Sequence, residues 1–518
     1  MTTCSAAPAA THALQDLTQR RAGVLLHITS LPGPHGLGDF GPDAYRFVDW
    51  LQAAGQRVWQ WLPSTPIGPG DSPYQGVSAF AGSPWMVALE PLVQRGWLVS
   101  PALPAGGFCA ERVDYGRVLP WREARLRDAF AGFRAQAGAA DRAAHDAFCA
   151  AEAGWLDDYA LFMAIRSPRG GQPWWEWPAP LARREPAALA AARREHAEET
   201  AFWRFVQWCF AEQVAALKAY AKARGVALMG DLPIFVAHDS ADCWSRPDLY
   251  HLDGQFRTTV VAGVPPDDLG PLGQRWGNPL YRWDRMADEG YAWWTARVRR
   301  ALVSADIFRI DHFRGFAEYY EIPGDSPDAR QGRWLPGPGR ALFAAIEAEL
   351  GRLPIVAEDL GYITPDVHAL RNACGFPGMK ILQFGFGAQA DHEFLPHTWT
   401  PACVAYTGTH DNDTVRGWWQ HAGVRERAFA GSYLACGEHD VHWAMIRACC
   451  NSVAAMAVFP LQDVLGLPSE HRMNIPGVLG GNWSWRFTWP MVSDEITRVL
   501  GLITAASGRG PFELLRLP

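Results

Sequence analysis

The sequence predicts an α/β fold in which eight parallel β-strands and their helices close into a (β/α)8 TIM barrel. Three observations predict it. Short apolar or β-branched runs recur along the chain, helical periodicity fills the intervals between them, and the runs number eight. Alternating strands and helices favour a parallel sheet. Eight such strands suit a closed barrel, and an open doubly wound sheet is the alternative.

Each predicted strand is a short apolar run that ends in polar residues. The eight runs cover residues 24–31, 57–62, 226–235, 306–313, 353–360, 379–386, 403–409 and 453–461. The clearest helical periodicity covers residues 43–54, 199–224, 291–303, 340–349 and 365–372.

Two insertions are expected within this barrel. The interval between the second and third strands is far longer than one helix needs, so residues 64–225 are predicted to form an insertion subdomain. Its middle, 111–199, is rich in Ala, Arg and Glu and predicts helices. The Gly- and Pro-rich stretch 263–278 is too long for a plain turn and predicts a loop insertion over 236–285. Residues 1–518 are otherwise interpreted as one catalytic barrel.

Composition excludes several classes of protein. A net charge of −7 provides no basic field for nucleic acid or acidic lipid. None of the three lysines lies in a Gly-Lys-Ser/Thr context, which excludes a P-loop. The chain contains no apolar run of membrane-spanning length, and residues 1–21 contain no apolar core of a secretory signal. Scattered cysteines without CxxC spacing fit a reducing compartment, so we expect a cytoplasmic protein.

Carboxylates follow four of the predicted strands. Catalytic side chains of barrels lie at the carboxyl ends of strands, where this sequence has Asp231, Asp311, Glu358 and Asp411. Such residues are often only loop caps or salt-bridge partners. Their recurrence at four strand ends, beside Arg and His, favours a functional site.

Paired carboxyl groups are the requirement for cleaving a glycosidic bond: one donates a proton and the other is an ionised nucleophile or base. Asp311 and Glu358 are about one βαβ unit apart, so they should end neighbouring strands. Neighbouring strand ends can supply the roughly 5–5.5 Å separation of a retaining enzyme. Asp311 is predicted as the nucleophile, kept ionised by Arg309, which points to the same side of the strand, and Glu358 as the acid/base.

The remaining strand-end residues complete this hypothesis. Asp411 is predicted to stabilise the oxocarbenium-like transition state, while His312 and His410 donate hydrogen bonds to the sugar. There is no Gly-x-Ser-x-Gly nucleophile elbow and no His-Glu-x-x-His zinc helix. We therefore expect neither a metal nor another cofactor.

Tryptophan is abundant, at 25 residues, and its faces can stack on pyranose rings or fill a core. Most are expected in the core. The clustered tryptophans are better candidates for sugar contact, namely Trp174, Trp175, Trp177, Trp293, Trp294, Trp418, Trp419, Trp483 and Trp485.

Several segments resemble those of a known family along nearly the whole chain. Besides the three catalytic segments, they are 23–34 (GVLLHITSLPGP), 55–57 (GQR), 70–75 (GDSPYQ), 230–235 (GDLPIF), 261–267 (VAGVPPD), 273–279 (GQRWGNP), 472–474 (RMN) and 481–486 (GNWSWR). The sequence resembles the amylomaltases, or 4-α-glucanotransferases, of glycoside hydrolase family 77 in the α-amylase clan. The segments 261–267 and 273–279 are the most specific to that family.

The resemblance implies further site residues and a reaction. Tyr74, Asp231 and Arg309 would line the cleaving subsite. Asp267, Gln274 and Trp276 would contact the glucan in the flanking subsites. Asn474 would be a weaker contact. The loop 263–268 would arch over the cleft and favour a sugar hydroxyl over water as acceptor. It also implies no metal requirement and no C-terminal β-sandwich domain.

The expected reaction is transfer of an α-1,4-glucan segment, through a covalent glycosyl-enzyme, from a maltooligosaccharide or longer glucan donor to the 4-hydroxyl of glucose or a maltooligosaccharide. Two alternatives stay open: an α-1,4-glucan hydrolase with the same residues, and a non-catalytic glucan-binding protein.

Overall fold

The computed structural model describes residues 15–68, 70–266, 270–387, 389–478 and 480–515. Its strands, in chain order, are β1 (Arg21–Leu25), β2 (Val58–Gln60), β3 (Ala227–Leu232), β4 (Val260–Val264), β5 (Gln274–Pro279), β6 (Ile307–Ile310), β7 (Glu318–Pro323), β8 (Arg333–Pro336), β9 (Ile355–Ala357), β10 (Gly378–Ile381), β11 (Cys403–Tyr406) and β12 (Met456–Pro460).

The α-helices up to the third barrel strand are α1 (Pro42–Ala53), α2 (Glu90–Gln94), α3 (Tyr115–Gln136), α4 (Ala139–Ala151), α5 (Ala153–Arg166), α6 (Ala179–Ala182), α7 (Pro186–Glu195) and α8 (Ala197–Ala223). Those that follow are α9 (Ala241–Ser245), α10 (Trp283–Asp288), α11 (Ala292–Ser304), α12 (Gly339–Leu350), α13 (Pro365–Cys374), α14 (Val415–His421), α15 (Val424–Leu434), α16 (Val441–Asn451), α17 (Leu461–Val464) and α18 (Asp494–Ala506). None of these described helices combines the length and apolar character needed to cross a membrane.

Eight of the strands form a parallel barrel, as predicted. Their order is β10-β11-β12-β1-β2-β3-β6-β9, with every neighbouring pair parallel. The ring closes where the N–H of Ala357, at the end of β9, donates to the carbonyl of Pro377, just before β10, at 2.9 Å. Each of these strands lies within one of the eight apolar runs or overlaps it, so the barrel prediction is confirmed and the open sheet is not found.

Close strand contact explains one glycine. A Cβ on Gly23 of β1 would lie 2.3 Å from the carbonyl oxygen of Val58 on β2, where no side chain fits. On the same pair of strands Trp59 is fully buried, and its indole N–H donates to the carbonyl of Leu26 at 2.9 Å. The barrel core therefore depends on small and large residues alternating at one interface.

All eight predicted strands end earlier than expected, most clearly β1 and β10. Residues 28–30 and 382–386 continue the apolar runs of β1 and β10 but form 3-10 turns. Ile28 and Leu382 are nevertheless fully buried. Burial beneath the barrel mouth, rather than strand pairing, accounts for the apolar residues here, and periodicity does not distinguish the two.

The long interval between β2 and β3 contains helices, as its composition predicted. Helices α3 to α8 occupy residues 115–223, and α8 packs against both α5 and α1. Arg122 of α3 is fully buried and donates to the Asp39 carboxylate at 2.9 Å and to the carbonyl of Val87 at 2.6 Å. A charged side chain so enclosed must be paired, which fixes α3 on the barrel.

The loop predicted over 263–278 is wrong at its two ends, where β4 and β5 lie. Strands β4 and β5 pair as an antiparallel hairpin and extend to β7 and β8 in a four-stranded sheet of order β5-β4-β7-β8. Gly263 is required there, because a Cβ would lie 2.1 Å from the carbonyl oxygen of Gln274. The start of β5 is exposed and lacks an alternating apolar pattern, so the sequence contains no strand signal.

Candidate active site

The predicted site residues converge at the carboxyl end of the barrel. A cleft of about 300 Å³ opens there, and eight of them line it: Tyr74, Gln274, Trp276, Asp311, His312, Glu358, Asp411 and Asn474. Three more lie behind its wall and contact these residues: Asp231, Arg309 and His410. Asp267, also predicted to bind substrate, lies outside the described residues.

Arg309 connects two carboxylates. Its Nη1 donates to Asp231 Oδ2 and its Nη2 donates to Asp311 Oδ1, both at 2.7 Å. The side chain of Asp231 is completely buried, whereas that of Asp311 is 29% exposed toward the cleft. Register places Asp231 beside Arg309 on neighbouring strands β3 and β6. The guanidinium therefore holds the Asp311 carboxylate in a fixed orientation with one oxygen committed.

Glu358 follows β9, the strand beside β6, so it lies next to Asp311 as the spacing predicted. Its Oε2 accepts the backbone N–H of His312 at 2.6 Å and its Oε1 accepts that of Leu360 at 2.9 Å. Burial raises the pKa of Glu358 to about 7, because desolvation outweighs the stabilising charge of Arg309. Near neutral pH this carboxyl group is poised between its acid and base forms.

His312 has a left-handed backbone, with φ of 53°, which turns its N–H toward Glu358. Few residues other than glycine adopt that region. The Nε2 atom of His312 is buried and has no hydrogen-bond partner among the described residues. Burial lowers the pKa of His312 to about 4, so its ring is neutral. Its edge meets the Trp276 ring at a centroid distance of 4.8 Å.

A second group of hydrogen bonds surrounds Asp411. Its Oδ1 accepts the Nδ2–H of Asn474 at 2.6 Å, and His410 Nε2 lies 3.3 Å from its Oδ2. Burial alone would raise the pKa of Asp411, but His410 and Asn474 outweigh it and hold that pKa well below its usual range. Asp411 is thus an ionised carboxylate opposite Asp311 and Glu358.

Tyr74 joins the two groups of residues. Its hydroxyl donates to Asp231 Oδ2 at 2.8 Å and lies 2.9 Å from His410 Nε2. Its ring stacks on the His410 ring, with centroids 5.3 Å apart and planes 15° apart. The site is consequently one continuous polar network, in which Asp231 and His410 act from behind the cleft wall.

The β4–β5 hairpin supplies the outer wall of the cleft. Gln274 and Trp276 lie on β5, and the Trp276 indole N–H donates to Gln274 Oε1 at 3.0 Å. Both side chains border the cleft, so their predicted location is consistent with substrate contact.

Sequence reasoning missed several residues of the site. Gln75 and Asn278 line the cleft and hydrogen-bond to each other at 3.2 Å. Arg472 donates from Nη2 to the carbonyl of Asp411 at 2.9 Å. The signal was proximity in sequence, because each lies within one to two residues of a predicted contact.

Asp463 was missed for a different reason. It lies after β12, is fully buried, and accepts the Thr407 hydroxyl at 2.6 Å and the Val415 N–H at 2.7 Å. These two partners flank the loop that carries His410 and Asp411. No local pattern identifies Asp463, since its partners are some 50 residues earlier.

The clustered tryptophans lie in different environments. Trp483 lines the cleft as hypothesised. Trp174, Trp294 and Trp485 are fully buried side chains in the core, so their prediction as sugar contacts is wrong. A tryptophan can stack on a sugar ring or fill a core, and only the burial of its side chain distinguishes the two roles.

One group of described residues could bring metal-ligating atoms together. His35, Asp39 and Glu90 place such atoms within 4.8 Å of one another. None of the three lines the cleft, and Arg122 already pairs with Asp39 at 2.9 Å. A fixed guanidinium there competes with a cation.

Comparison with known proteins identifies the family. The family model described as 4-alpha-glucanotransferase matches residues 26–492. The 4-alpha-glucanotransferase of Thermus thermophilus is 51% identical over 487 residues, covering 92% of this chain and 96% of the relative. The chain belongs to the 4-alpha-glucanotransferase family. The 4-alpha-glucanotransferase of Synechocystis is 44% identical to this chain, covering 95% of this chain and 99% of the relative.

Solved structures agree with this family membership. The amylomaltase of Streptococcus agalactiae, in complex with acarbose, has a TM-score of 0.91 and 38% identity, covering 95% of this chain and all of that one. The amylomaltase of Corynebacterium glutamicum, 19% identical, has a TM-score of 0.76 over 96% of this chain and 76% of that one, and shares the fold. Membership of the 4-alpha-glucanotransferase family confirms the predicted enzyme class and its α-glucan substrates. It supports glucan transfer over the two alternatives, a hydrolase and a non-catalytic glucan-binding protein.

Proposed function

We propose that this cleft transfers a segment of an α-1,4-glucan from a maltooligosaccharide or longer donor to the 4-hydroxyl of glucose or a maltooligosaccharide, with retention of configuration. The observation that carries the proposal is the pairing of Glu358, whose pKa burial raises to about 7, with Asp311, which Arg309 holds. Strands lie about 4.8 Å apart. Side chains that end adjacent strands β6 and β9 therefore suit a retaining enzyme.

In the first step an Asp311 carboxylate oxygen attacks the anomeric carbon of the donor. The bond from that carbon to the glycosidic oxygen breaks, and protonated Glu358 gives its proton to the departing oxygen. The part of the donor beyond the break leaves as a shorter sugar. A covalent ester between Asp311 and the retained glucan segment remains.

The second step reverses the first with a new sugar. Glu358, now ionised, removes the proton from the 4-hydroxyl of the acceptor. The oxygen of that hydroxyl attacks the anomeric carbon at the same time. The ester bond to Asp311 breaks, and a new α-1,4 bond forms. A pKa near 7 suits both directions of proton transfer at neutral pH.

The other residues bind and orient the sugar. Ionised Asp411 stabilises positive charge that develops on the anomeric centre and accepts sugar hydroxyls. His312 offers a buried Nε2 without a partner among the described residues, suited to a sugar hydroxyl. Asn474 borders the cleft, and it donates a hydrogen bond that orients Asp411. Tyr74 at the cleft wall holds this arrangement together with Asp231 and His410 behind it.

Choice of a sugar over water as acceptor is assigned to the hairpin wall. Gln274 and Trp276 border the cleft from β5, where an aromatic face can hold an acceptor pyranose. A bound acceptor also displaces water from the ester intermediate.

The helical insertion, 64–225, and the hairpin region, 236–285, are proposed as additions to one catalytic barrel.

The cytoplasm is the proposed location. The described cysteines are all free thiols, among them the exposed Cys109. Free thiols are typical of reducing compartments.

Incubation with maltotriose tests the function. The purified protein should produce glucose and a ladder of longer maltooligosaccharides, with the total of reducing ends constant. Asp311→Asn should reduce this activity by about 10⁴-fold or more, whereas Asp325→Asn, at an exposed site, should not change it. Rising reducing ends without a ladder would identify a hydrolase, and an active Asp311→Asn variant would refute the assigned nucleophile.

A further inference from the structure

One wall of the cleft is an irregular segment that follows β3. Its residues Pro233, Ile234 and Phe235 all line the cleft. Within the described part of the chain, residues 233–236 take part in no backbone–backbone hydrogen bond. Buried carbonyl groups need hydrogen-bond partners, so the position of this wall depends on side chains from other parts of the fold.

Arg297 of α11 supplies those partners from behind the wall. Its Nη2 donates to the carbonyl of Pro233 at 2.5 Å, and its Nη1 donates to that of Ile234 at 3.0 Å. The hydroxyl of Tyr281 donates to the same Ile234 carbonyl at 2.8 Å and lies 3.3 Å from Arg297 Nη1. The planar guanidinium therefore fixes two successive peptide groups at once.

The burial of Arg297 is unusual for a charged residue. The residue is 2% exposed, and its side chain donates only to neutral oxygens among the described residues. Its guanidinium also lies 4.9 Å from the centroid of the Trp294 ring, a favourable contact for a cation. A buried charge is costly, so an apolar side chain would fill this core at lower cost. The hydrogen bonds to the wall are what Arg297 adds.

The wall that Arg297 holds packs against catalytic residues. An added Cβ on Gly315 would lie 2.7 Å from Ile234 Cδ1, so Ile234 packs closely on the turn that follows His312. The ring of Phe235 lies 6.5 Å from that of His312, between centroids. The N–H of His312 in turn donates to Glu358 Oε2. A displaced wall would therefore disturb the turn that orients the acid/base carboxyl group.

We propose that Arg297 is a positioning residue for glucan transfer, which fixes the cleft wall against the turn of His312 by holding the carbonyls of Pro233 and Ile234. Arg297 does not itself line the cleft. The inference rests on the proposed function and names a residue that sets the geometry of that site. A misplacement of about 1 Å caused by a distant substitution can lower a rate by about 10²-fold.

Four variants separate this role from a purely structural one. Arg297→Met keeps a long side chain but removes every donor, whereas Arg297→Lys keeps a cation that can donate to carbonyl groups. Tyr281→Phe keeps its ring and removes only the second donor to Ile234. Arg299→Met is the matched control on the same helix, because the Arg299 side chain is 51% exposed and pairs with Glu349.

Disproportionation of maltotriose would be measured per folded molecule, well below the Tm of each variant, with circular dichroism as the test of folding. Arg297→Met should lower kcat by about 10- to 100-fold with a smaller change in KM, because the orientation of the reacting groups is lost. Arg297→Lys should recover part of this loss. Tyr281→Phe should lower kcat by about two- to tenfold, and Arg299→Met should leave it unchanged.

A purely structural role predicts a lower Tm with an unchanged kcat per folded molecule. That result for Arg297→Met, a change confined to KM, or an Arg297→Lys variant no more active than Arg297→Met would overturn the proposal. If Arg297→Met does not fold, an unchanged kcat in Tyr281→Phe would overturn it.

The parent protein distinguishes this inference from the proposed function. If the parent releases reducing ends without a ladder, glucan transfer is refuted, and the same comparison of variants on hydrolysis still decides the role of Arg297. A parent inactive on maltotriose would refute the proposed reaction, and this inference with it.

Discussion

Glu358 and His312 are joined through the backbone. Glu358 Oε2 accepts the N–H of His312 at 2.6 Å, at a residue with φ of 53°. This bond positions the buried carboxyl group of Glu358 beside Asp311. The donor is a backbone N–H group, which carries no formal charge. The pKa of Glu358, raised by burial to about 7, can therefore be tested through the pH dependence of catalysis.

Protonated Glu358 is the form that donates to the departing oxygen. For maltotriose, kcat/KM should decline above about pH 7, by tenfold per pH unit, because the protonated fraction of Glu358 falls. Glu358→Gln should lower kcat/KM by about 10²–10⁴-fold and remove this limb. A glycosyl fluoride donor, whose leaving group needs no proton, should lose much less in the first step. A decline above pH 7 that persists in Glu358→Gln would assign it to another group.

Arg309→Lys tests the bridge between Asp231 and Asp311. One ammonium cannot reproduce a guanidinium that donates to two separate carboxylates, so a buried acceptor loses its partner. Stability should fall by about 1–3 kcal/mol, with a lower kcat, as measured by thermal unfolding and maltotriose kinetics. Arg333→Lys is the control, because its pair with Glu321 lies at a side chain 72% exposed. Equal effects of the two substitutions would contradict the bridging role.

Trp276→Ala tests the assignment of acceptor selection to the hairpin wall. An aromatic contact contributes roughly 0.5–1.5 kcal/mol, so acceptor binding should weaken by about two- to tenfold and the ratio of hydrolysis to transfer should rise. Reducing-end and product-ladder assays on one sample give that ratio. Trp276→Phe keeps a ring and should change it less. An unchanged ratio in Trp276→Ala would place acceptor selection elsewhere.

Asp463→Asn tests the buried support beneath the loop of Asp411. Burial raises the pKa of Asp463 to about 7 in the folded protein, above an unfolded value of roughly 3.9. Its contribution to stability is therefore fully present below that unfolded value and is lost as pH rises through about 7. Asn cannot ionise, so the Tm of the variant relative to the wild type should increase from pH 5 to pH 9.

Asp325→Asn is the control for the substitution itself, because the side chain is exposed, and its Tm should stay close to that of the wild type. Parallel Tm curves for wild type and Asp463→Asn would show that Asp463 does not carry this pH dependence.

Much of the barrel is encoded locally. Strands buried on both faces are largely apolar, so β3 and β6 were recognisable as runs that carry Asp231 and Asp311 near their carboxyl ends. Parallel topology then requires their carboxyl ends to meet, which brought Glu358 beside Asp311 from spacing alone. The β5 strand was not recognisable, because its exposed residues carry no alternation.

The sequence by itself determined the barrel and the carboxylates that meet at its mouth, because these depend on periodicity and on which residues end each strand. The family was indicated separately, by the resemblance of segments such as 261–267 and 273–279. Only the tertiary structure decided how the pKa values of two carboxyl groups diverge. Burial raises the pKa of Glu358 to about 7, whereas His410 and Asn474 hold the pKa of Asp411 well below its usual range. Asp463 likewise has surroundings built from segments distant in sequence, whose contacts arise only when the chain is folded.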